Sequence, residues 1–330
     1  MKKVILFCLC FFYTVVSVHA ESYCVLSSAD NTVIEEKNMH EPQSVASISK
    51  IMTAIVALEE GNIDDKWQVQ KEILQAVGSS IYLQVGQEVS LKSLLYGLML
   101  RSGNDAAIAI ATHISGSEEE FVKLMNAKAE ELGMLHTTFH NASGLDEDGI
   151  GNISTAYDMA LLMSYAMKNE TFREIAGAQY YTSEWNARWQ NKNKLLFQFP
   201  FTTGGKTGFT KLAGRTLVTS AKNNLTESIV VTLRQSDDFQ FHQQKHKEVY
   251  ENVKTLEVVK AGTYKVHQQE FVIEDPILVT VKQDGSDRIN VYTHFKDGEF
   301  IVEVQKNEQV DVYSYKARKA SKNVWKKVFS

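Results

Sequence analysis

The chain has 330 residues, of which 44% are hydrophobic and 23% charged, and it carries a net charge of −5. That is ample apolar material for one large globular domain and a smaller one, and the acidic balance argues against a nucleic-acid partner. Of three cysteines, Cys8 and Cys10 fall in a leader-like segment, so Cys24 alone is left and no internal disulfide can form.

The N-terminus opens on Lys2 and Lys3, continues as an apolar run over residues 4–18 and ends in the small-x-small sequence Val18-His19-Ala20. Residues 1–20 therefore read as a cleaved signal peptide, which predicts an exported, extracytoplasmic protein. The run is short for a membrane span, although an uncleaved signal anchor is the competing reading. Next come two strand-like runs, 23–27 and 32–36, joined by Ala29-Asp30-Asn31, a hairpin at a sheet edge with Cys24 buried in its first strand.

From Ser47 the apolar positions Ile51, Ala54, Ile55 and Leu58 recur at three and four, which predicts a helix stopped by Gly61-Asn62. Leu91, Leu94, Leu95, Leu98 and Met99 mark a second helix, broken at Arg101-Ser102-Gly103-Asn104 and resumed as the all-round apolar, hence buried, stretch 106–114. Phe121, Leu124, Met125, Ala129 and Leu132 stripe a third, and Ser154-Thr155 with Asp158 caps a fourth. Runs 214–221 and 228–233 form an antiparallel hairpin around Asn223-Asn224, with a leading edge near Lys206. A long polar helix over 237–259 closes the first domain, residues 21–260. Residues 261–330 read as a small all-β domain with strands at 277–281, 289–293, 300–304 and 310–315, followed by a basic tail available to a membrane or wall polymer.

Three short motifs punctuate this order: Ser47-Ile48-Ser49-Lys50, Ser102-Gly103-Asn104 and Lys206-Thr207-Gly208. A lone Ser-x-x-Lys arises roughly once by chance in a chain of this size, and a second Ser-x-Asn at Ser321-Lys322-Asn323 shows how little one pattern weighs. Singly, Ser47 reads as a helix cap and Lys50 as a surface charge. As an ordered set they describe chemistry. Three apart on a helix, Ser47 and Lys50 share a face, so a neutral lysine amine reaches the hydroxyl and can take its proton. Ser102 is placed to relay that proton, and Asn104 to meet a substrate amide or fix Lys50. Lys206 and Thr207 would grip a carboxylate while Gly208 admits the substrate backbone, with Arg234 a candidate for the terminal carboxylate. The pairs His136/His140 and His242/His246 raise a zinc alternative, but neither carries the Glu of His-Glu-x-x-His.

These motifs resemble the signature of penicillin-binding proteins and class A β-lactamases. The wider segments 46–54, 96–107 and 204–210 are similar to low-molecular-mass D-alanyl-D-alanine carboxypeptidases, particularly the sporulation-associated kind of bacilli. The likeness covers about residues 23–260, and the β module resembles the C-terminal domain of such enzymes. It implies an α+β fold: a penicillin-binding/β-lactamase-like transpeptidase domain, with an antiparallel sheet flanked by helices and an all-helical cluster, and a small C-terminal all-β domain. It further implies a serine D,D-peptidase acting on peptidoglycan stem peptides and acylated by β-lactams, with no cofactor and no metal. Ser47 would attack, Lys50 act as base, Ser102 and Lys206 assist proton transfer, and the backbone N–H groups of Ser47 and Phe209 hold the oxyanion. The middle motif is Ser-Gly-Asn rather than Ser-Asp-Asn, and no Glu-x-x-Leu-Asn precedes Lys206, which favours the peptidase over the β-lactamase branch. A D,D-endopeptidase and a catalytically idle wall-binding protein of the same fold remain the alternatives.

Overall fold

The computed structural model describes residues 21–146 and 149–317. The leader reading and the basic tail from residue 318, with its second Ser-x-Asn, lie outside the described residues.

The centre of the molecule is an antiparallel sheet of five strands: β1 (Ser22–Ser27), β2 (Val33–Lys37), β3 (Thr202–Thr210), β4 (Gly214–Asn223) and β5 (Thr226–Leu233). Their order is β2-β1-β5-β4-β3, so the N-terminal hairpin forms one edge and β3, which carries Lys206, forms the other. Cys24 is buried in β1, as the sequence predicts. Every residue of β5 is buried. Helices contact it from α5 (Ala156–Ala166) and from α7 (Asp238–Asn252). This cover explains the near-continuous Val, Ile and Thr of its sequence, since a strand enclosed on both faces loses the alternating pattern.

The helical cluster is built on α1 (Lys50–Glu60), buried from Lys50 to Ala57. Around it stand α2 (Leu91–Tyr96), α3 (Asn104–Ser115) and α4 (Glu118–Glu131), with α6 (Glu170–Gly177) beside β3. One continuous core joins α1, α2, α3, α4 and α5 through residues such as Ile51, Ile55, Leu91, Leu95, Ile110, Phe121, Met159 and Met163. Each fully buried side chain of this kind contributes about 1.5–3 kcal/mol relative to leaving it exposed. The helix starts are fixed locally: Ser90, Ser117, Thr155 and Asn169 each accept a backbone N–H three residues on. Thr155 meets Asp158 N, the cap that the sequence indicates.

The predicted polar helix over 237–259 is shorter than expected. α7 ends at Asn252, and β6 (Val253–Val259) continues as a strand paired with a later one, because Val253, Thr255, Val258 and Val259 are β-branched and fit a pleated surface. After β6 come the hairpin β7 (Gly262–Val266) and β8 (Gln269–Ile273), then β9 (Ile277–Lys282), the partner of β6. A three-stranded meander follows: β10 (Ile289–Lys296), β11 (Glu299–Lys306) and β12 (Gln309–Lys316). The β7–β8 pair was not among the expected strands, since its two runs are short and largely polar. The C-terminal strands close over their own core of Phe271, Ile273, Ile277, Val279, Phe300 and Val302. The architecture is α+β with a C-terminal all-β region.

Candidate active site

Ser47 sits in a short helical turn, Ala46–Ser49, that runs directly into α1. The turn is forced. Ala46 is buried with φ +50°, a left-handed conformation that costs an ordinary residue about 1–3 kcal/mol. Its carbonyl is caught by Ser49 Oγ at 2.7 Å. The opposing residue is Gly144, at φ +75°, where a Cβ would lie 2.1 Å from the Ala46 oxygen, so only glycine fits.

Lys50 follows one turn later, and its ammonium end is wholly inside the protein. Nζ lies 3.1 Å from Ser47 Oγ, donates to Asn104 Oδ1 at 2.7 Å and donates to the Ser143 carbonyl. No carboxylate pairs with it among the described residues. Burial, followed by the nearby charge of Lys192, pushes its pKa down from 10.5 to about 7. A neutral amine has two N–H groups and one lone pair. With Asn104 and Ser143 taking the two N–H groups, the lone pair is left for the Ser47 hydroxyl proton.

Asn104 opens α3, and Ser102 stands two residues before it at φ +64°. Residues Gly97–Arg101 form a π-helical turn, an irregularity that ends α2 and turns Ser102 into the site. Asn104 is held on both sides: its N–H donates to Ser79 O at 2.7 Å and its Nδ2 to Val77 O. The third motif comes from the sheet edge. Lys206 is buried, and its Nζ donates to Ser102 Oγ at 3.0 Å and to Thr207 O at 2.7 Å. Burial first, then the charges of Lys50 and Lys192, hold it well below the usual lysine range. The amine thus faces Ser102 and does not project outward to grip a carboxylate. Gly208 serves first to admit the nucleophile's own backbone: a Cβ there would lie 2.3 Å from Thr216 Oγ1 and 3.0 Å from Ser47 N. Thr207 is half-buried, and Phe209, two residues on, is 68% exposed on the free edge of β3.

Three contributors had no clear signal in the sequence. Ser143 acts through its carbonyl, positioned by an Asn141 side chain that accepts Ser143 N at 3.2 Å and Gly144 N at 2.6 Å. Asp105 is buried beside Asn104 and accepts from Ile81 N, Leu83 N and Ser80 Oγ, tying the loop before α2 to the second motif. Lys192 donates to Ser79 Oγ at 3.3 Å and lowers both buried lysines. Its place after Asn191 gave only an ordinary loop charge to read.

Arg234 stands apart. It has φ +61°, its N–H donates to Arg215 O at 2.8 Å, and its guanidinium donates to the Leu212 carbonyl in the β3–β4 turn. Among the described residues it makes no hydrogen bond to the three motifs. His242 and His246 are buried between the sheet and α7, and hydroxyls occupy all four ring nitrogens: Thr219 and Thr232 for His242, Thr219 and Ser228 for His246. No nitrogen there is open to zinc. His136 and His140 belong to no group of three metal-ligating side chains among the described residues.

The arrangement is two serine hydroxyls, each bonded by a buried lysine amine whose pKa burial lowers, beside an open strand edge. The D-alanyl-D-alanine carboxypeptidase family model matches residues 12–237. The carboxypeptidase DacF of Bacillus subtilis is 34% identical over 298 residues, covering 84% of this chain and 76% of that protein. The Escherichia coli enzyme DacC is 37% identical, with 67% of this chain matched but only 58% of that relative spanned. Among solved structures, a D-alanyl-D-alanine carboxypeptidase of Mycobacterium tuberculosis superposes with a TM-score of 0.61 at 30% identity, covering 64% of this chain and 81% of that one. Penicillin binding protein 6B of Escherichia coli superposes with a TM-score of 0.71 over 89% and 93% of the two chains, a likeness of fold at 24% identity. The chain belongs to the D-alanyl-D-alanine carboxypeptidase family, serine hydrolases of the penicillin-binding fold.

Proposed function

We propose that the chain removes the terminal D-alanine from peptidoglycan stem peptides through an acyl-enzyme on Ser47, and that β-lactams acylate the same oxygen. Ser47 Oγ bonds to the carbonyl carbon between the two D-alanines as Lys50 accepts its proton. The carbonyl electron pair moves onto oxygen, which the backbone N–H groups of Ser47 and Phe209 stabilise. Collapse breaks the C–N bond, and the departing amine takes its proton through Ser102, with Lys206 as that hydroxyl's partner. Water then opens the ester and restores Ser47. Thr207 and Gly208 line the substrate strand on β3, and Arg234 is the candidate for the terminal carboxylate.

The observation that carries this reading is the Lys50 amine, buried 3.1 Å from Ser47 Oγ, paired with no carboxylate among the described residues and lowered by burial to a pKa of about 7. Membership of the carboxypeptidase family and the intact polar set argue against an idle binding protein. We further propose a leader at 1–20, a catalytic unit at 21–260 and a β-rich unit at 261–330, with export to the cell envelope, a sporulation role and surface contact through the basic tail.

The test is D-alanine release from a soluble pentapeptide, run beside cleavage of a crosslinked dimer. Wild type releases D-alanine and Ser47→Ala releases none. Release that persists in Ser47→Ala contradicts the acyl-enzyme, and dimer cleavage without pentapeptide trimming shifts the activity to an endopeptidase.

A further inference from the structure

Two cavities follow one another along α3. The first is a groove of about 650 Å3 that begins at Asn104 and Ser143 and passes Ile108, with Gln75, Ala76 and Val77 as its other wall. The second, about 280 Å3, is lined by Trp67, Gln68, Gln70, Glu72, Thr112 and His113. The short helical turn Lys71–Gln75 lies between them, giving Gln75 to the groove and Glu72 to the cavity. Asn104, Ile108 and Thr112, spaced by four, step from one to the other, and eight residues of helix rise about 12 Å.

The second cavity has a flat wall and a polar side. The rings of Trp67 and His113 are parallel, 3.7 Å between centroids and 3° between planes. Nε2 of His113 faces Asp65 Oδ2 at 3.5 Å, which orients the ring. Gln68, Gln70 and Thr112 add polar side chains to the lining, with Gln70 Nε2 donating to the Gln68 carbonyl at 2.9 Å. Oε2 of Glu72 is buried and has no hydrogen-bond partner among the described residues. A buried acceptor left unpaired is costly, so this oxygen calls for a donor that the described residues do not supply.

A saturated ring with C–H faces and a rim of hydroxyl and amide donors satisfies both sides at once. The volume is just under the usual range for ligand cavities, about 300–1,000 Å3, and accommodates one ring. We propose that the Trp67–Glu72–His113 cavity binds an amino-sugar ring of the glycan that bears the stem peptide. This rests on the carboxypeptidase reading above and names a further part of its substrate. The spacing agrees: four residues separate the scissile bond from the glycan and extend to about 14 Å at 3.3–3.6 Å each. Leu74 and Val77, exposed along the turn between the two cavities, give that peptide an apolar edge to cross.

The experiment compares kcat/KM for a disaccharide-linked pentapeptide with that for the same pentapeptide without sugar. Wild type favours the sugar-linked substrate by about tenfold or more, and Glu72→Gln and Trp67→Ala each bring the ratio of the two rates towards one. Labelling by fluorescent penicillin reports folding, and Gln68→Ala, at an exposed side chain, replaces Trp67→Ala if that variant fails to label. A wild-type ratio of one, or a ratio retained in every labelling variant, overturns the sugar site while leaving the carboxypeptidase reading intact. Absence of D-alanine release from either substrate removes the underlying reading and this site with it.

Discussion

Lys50 and Lys206 in the motif cavity and His242 and His246 beneath the sheet are all fully buried, yet only the imidazoles have every nitrogen closed by a neutral hydroxyl. Burial pushes His246 down to about 3 and His242 well below its ordinary range, so both stay uncharged and a chain of hydroxyls and rings satisfies them. The same desolvation lowers the pKa of both lysines, but their amines converge on serine hydroxyls, Lys50 on Ser47 and Lys206 on Ser102. Burial alone therefore does not mark a functional group. A buried base facing the hydroxyl of a partly exposed serine, as Lys50 faces Ser47, does.

Substitutions that should affect one pair and spare the other give this contrast its hardest test. Lys50→Met removes the base and lowers both D-alanine release and β-lactam acylation by about 1,000 to 10,000 fold, an effect of the order expected for general-base loss. Its stability should move the other way. In the native protein Lys50 titrates near 7 against 10.5 when unfolded, so between those values the unfolded chain binds more protons and stability rises with pH. Below pH 7 the full penalty of the buried amine remains, so thermal melts should favour Lys50→Met over wild type more at pH 6 than at pH 10. Ser102→Ala breaks the relay and costs about 100 fold in turnover, with Lys206 left to its Thr207 carbonyl.

The smallest kinetic effect belongs to the histidines. His246→Ala removes the imidazole partner of Ser228 and one of the two imidazole partners of Thr219, and it opens a cavity against Phe199, a loss of about 2–4 kcal/mol in urea unfolding, while the folded fraction still labels with penicillin. The same pair makes the wild type acid-sensitive. The unfolded chain takes up protons near pH 6.5 and folded His246 only near 3, so stability declines as pH falls through that interval. Equal activity losses in His246→Ala and Lys50→Met, measured per folded molecule, would erase the distinction between the pairs.

Much of this was legible in the chain. The motif order, the strand at Lys206, the capped helix at Thr155 and the all-round apolar stretch after Asn104 follow from residue type and spacing, which local physics controls. What stayed hidden depends on atoms without a residue-type signature. The Ser143 carbonyl works through its backbone, the Ala46 carbonyl is accommodated by Gly144 far along the chain, and Gly208 is required by the Ser47 turn packed against it. The polar histidine helix misled in a different way: His242 and His246 share its inner face, where hydroxyls from two strands receive them. The strand at Val253–Val259 was obscured because its charged residues continue the composition of the helix before it.

The central claim is that a lysine kept neutral by burial activates Ser47, and the pH dependence of β-lactam acylation addresses it directly. The rate constant for acylation should rise with pH about a midpoint near 7, as Lys50 loses its proton, and that rise should vanish in Lys50→Met. An acylation rate that stays level from pH 5 to 9, or one whose rise near 7 survives in Lys50→Met, would contradict the account.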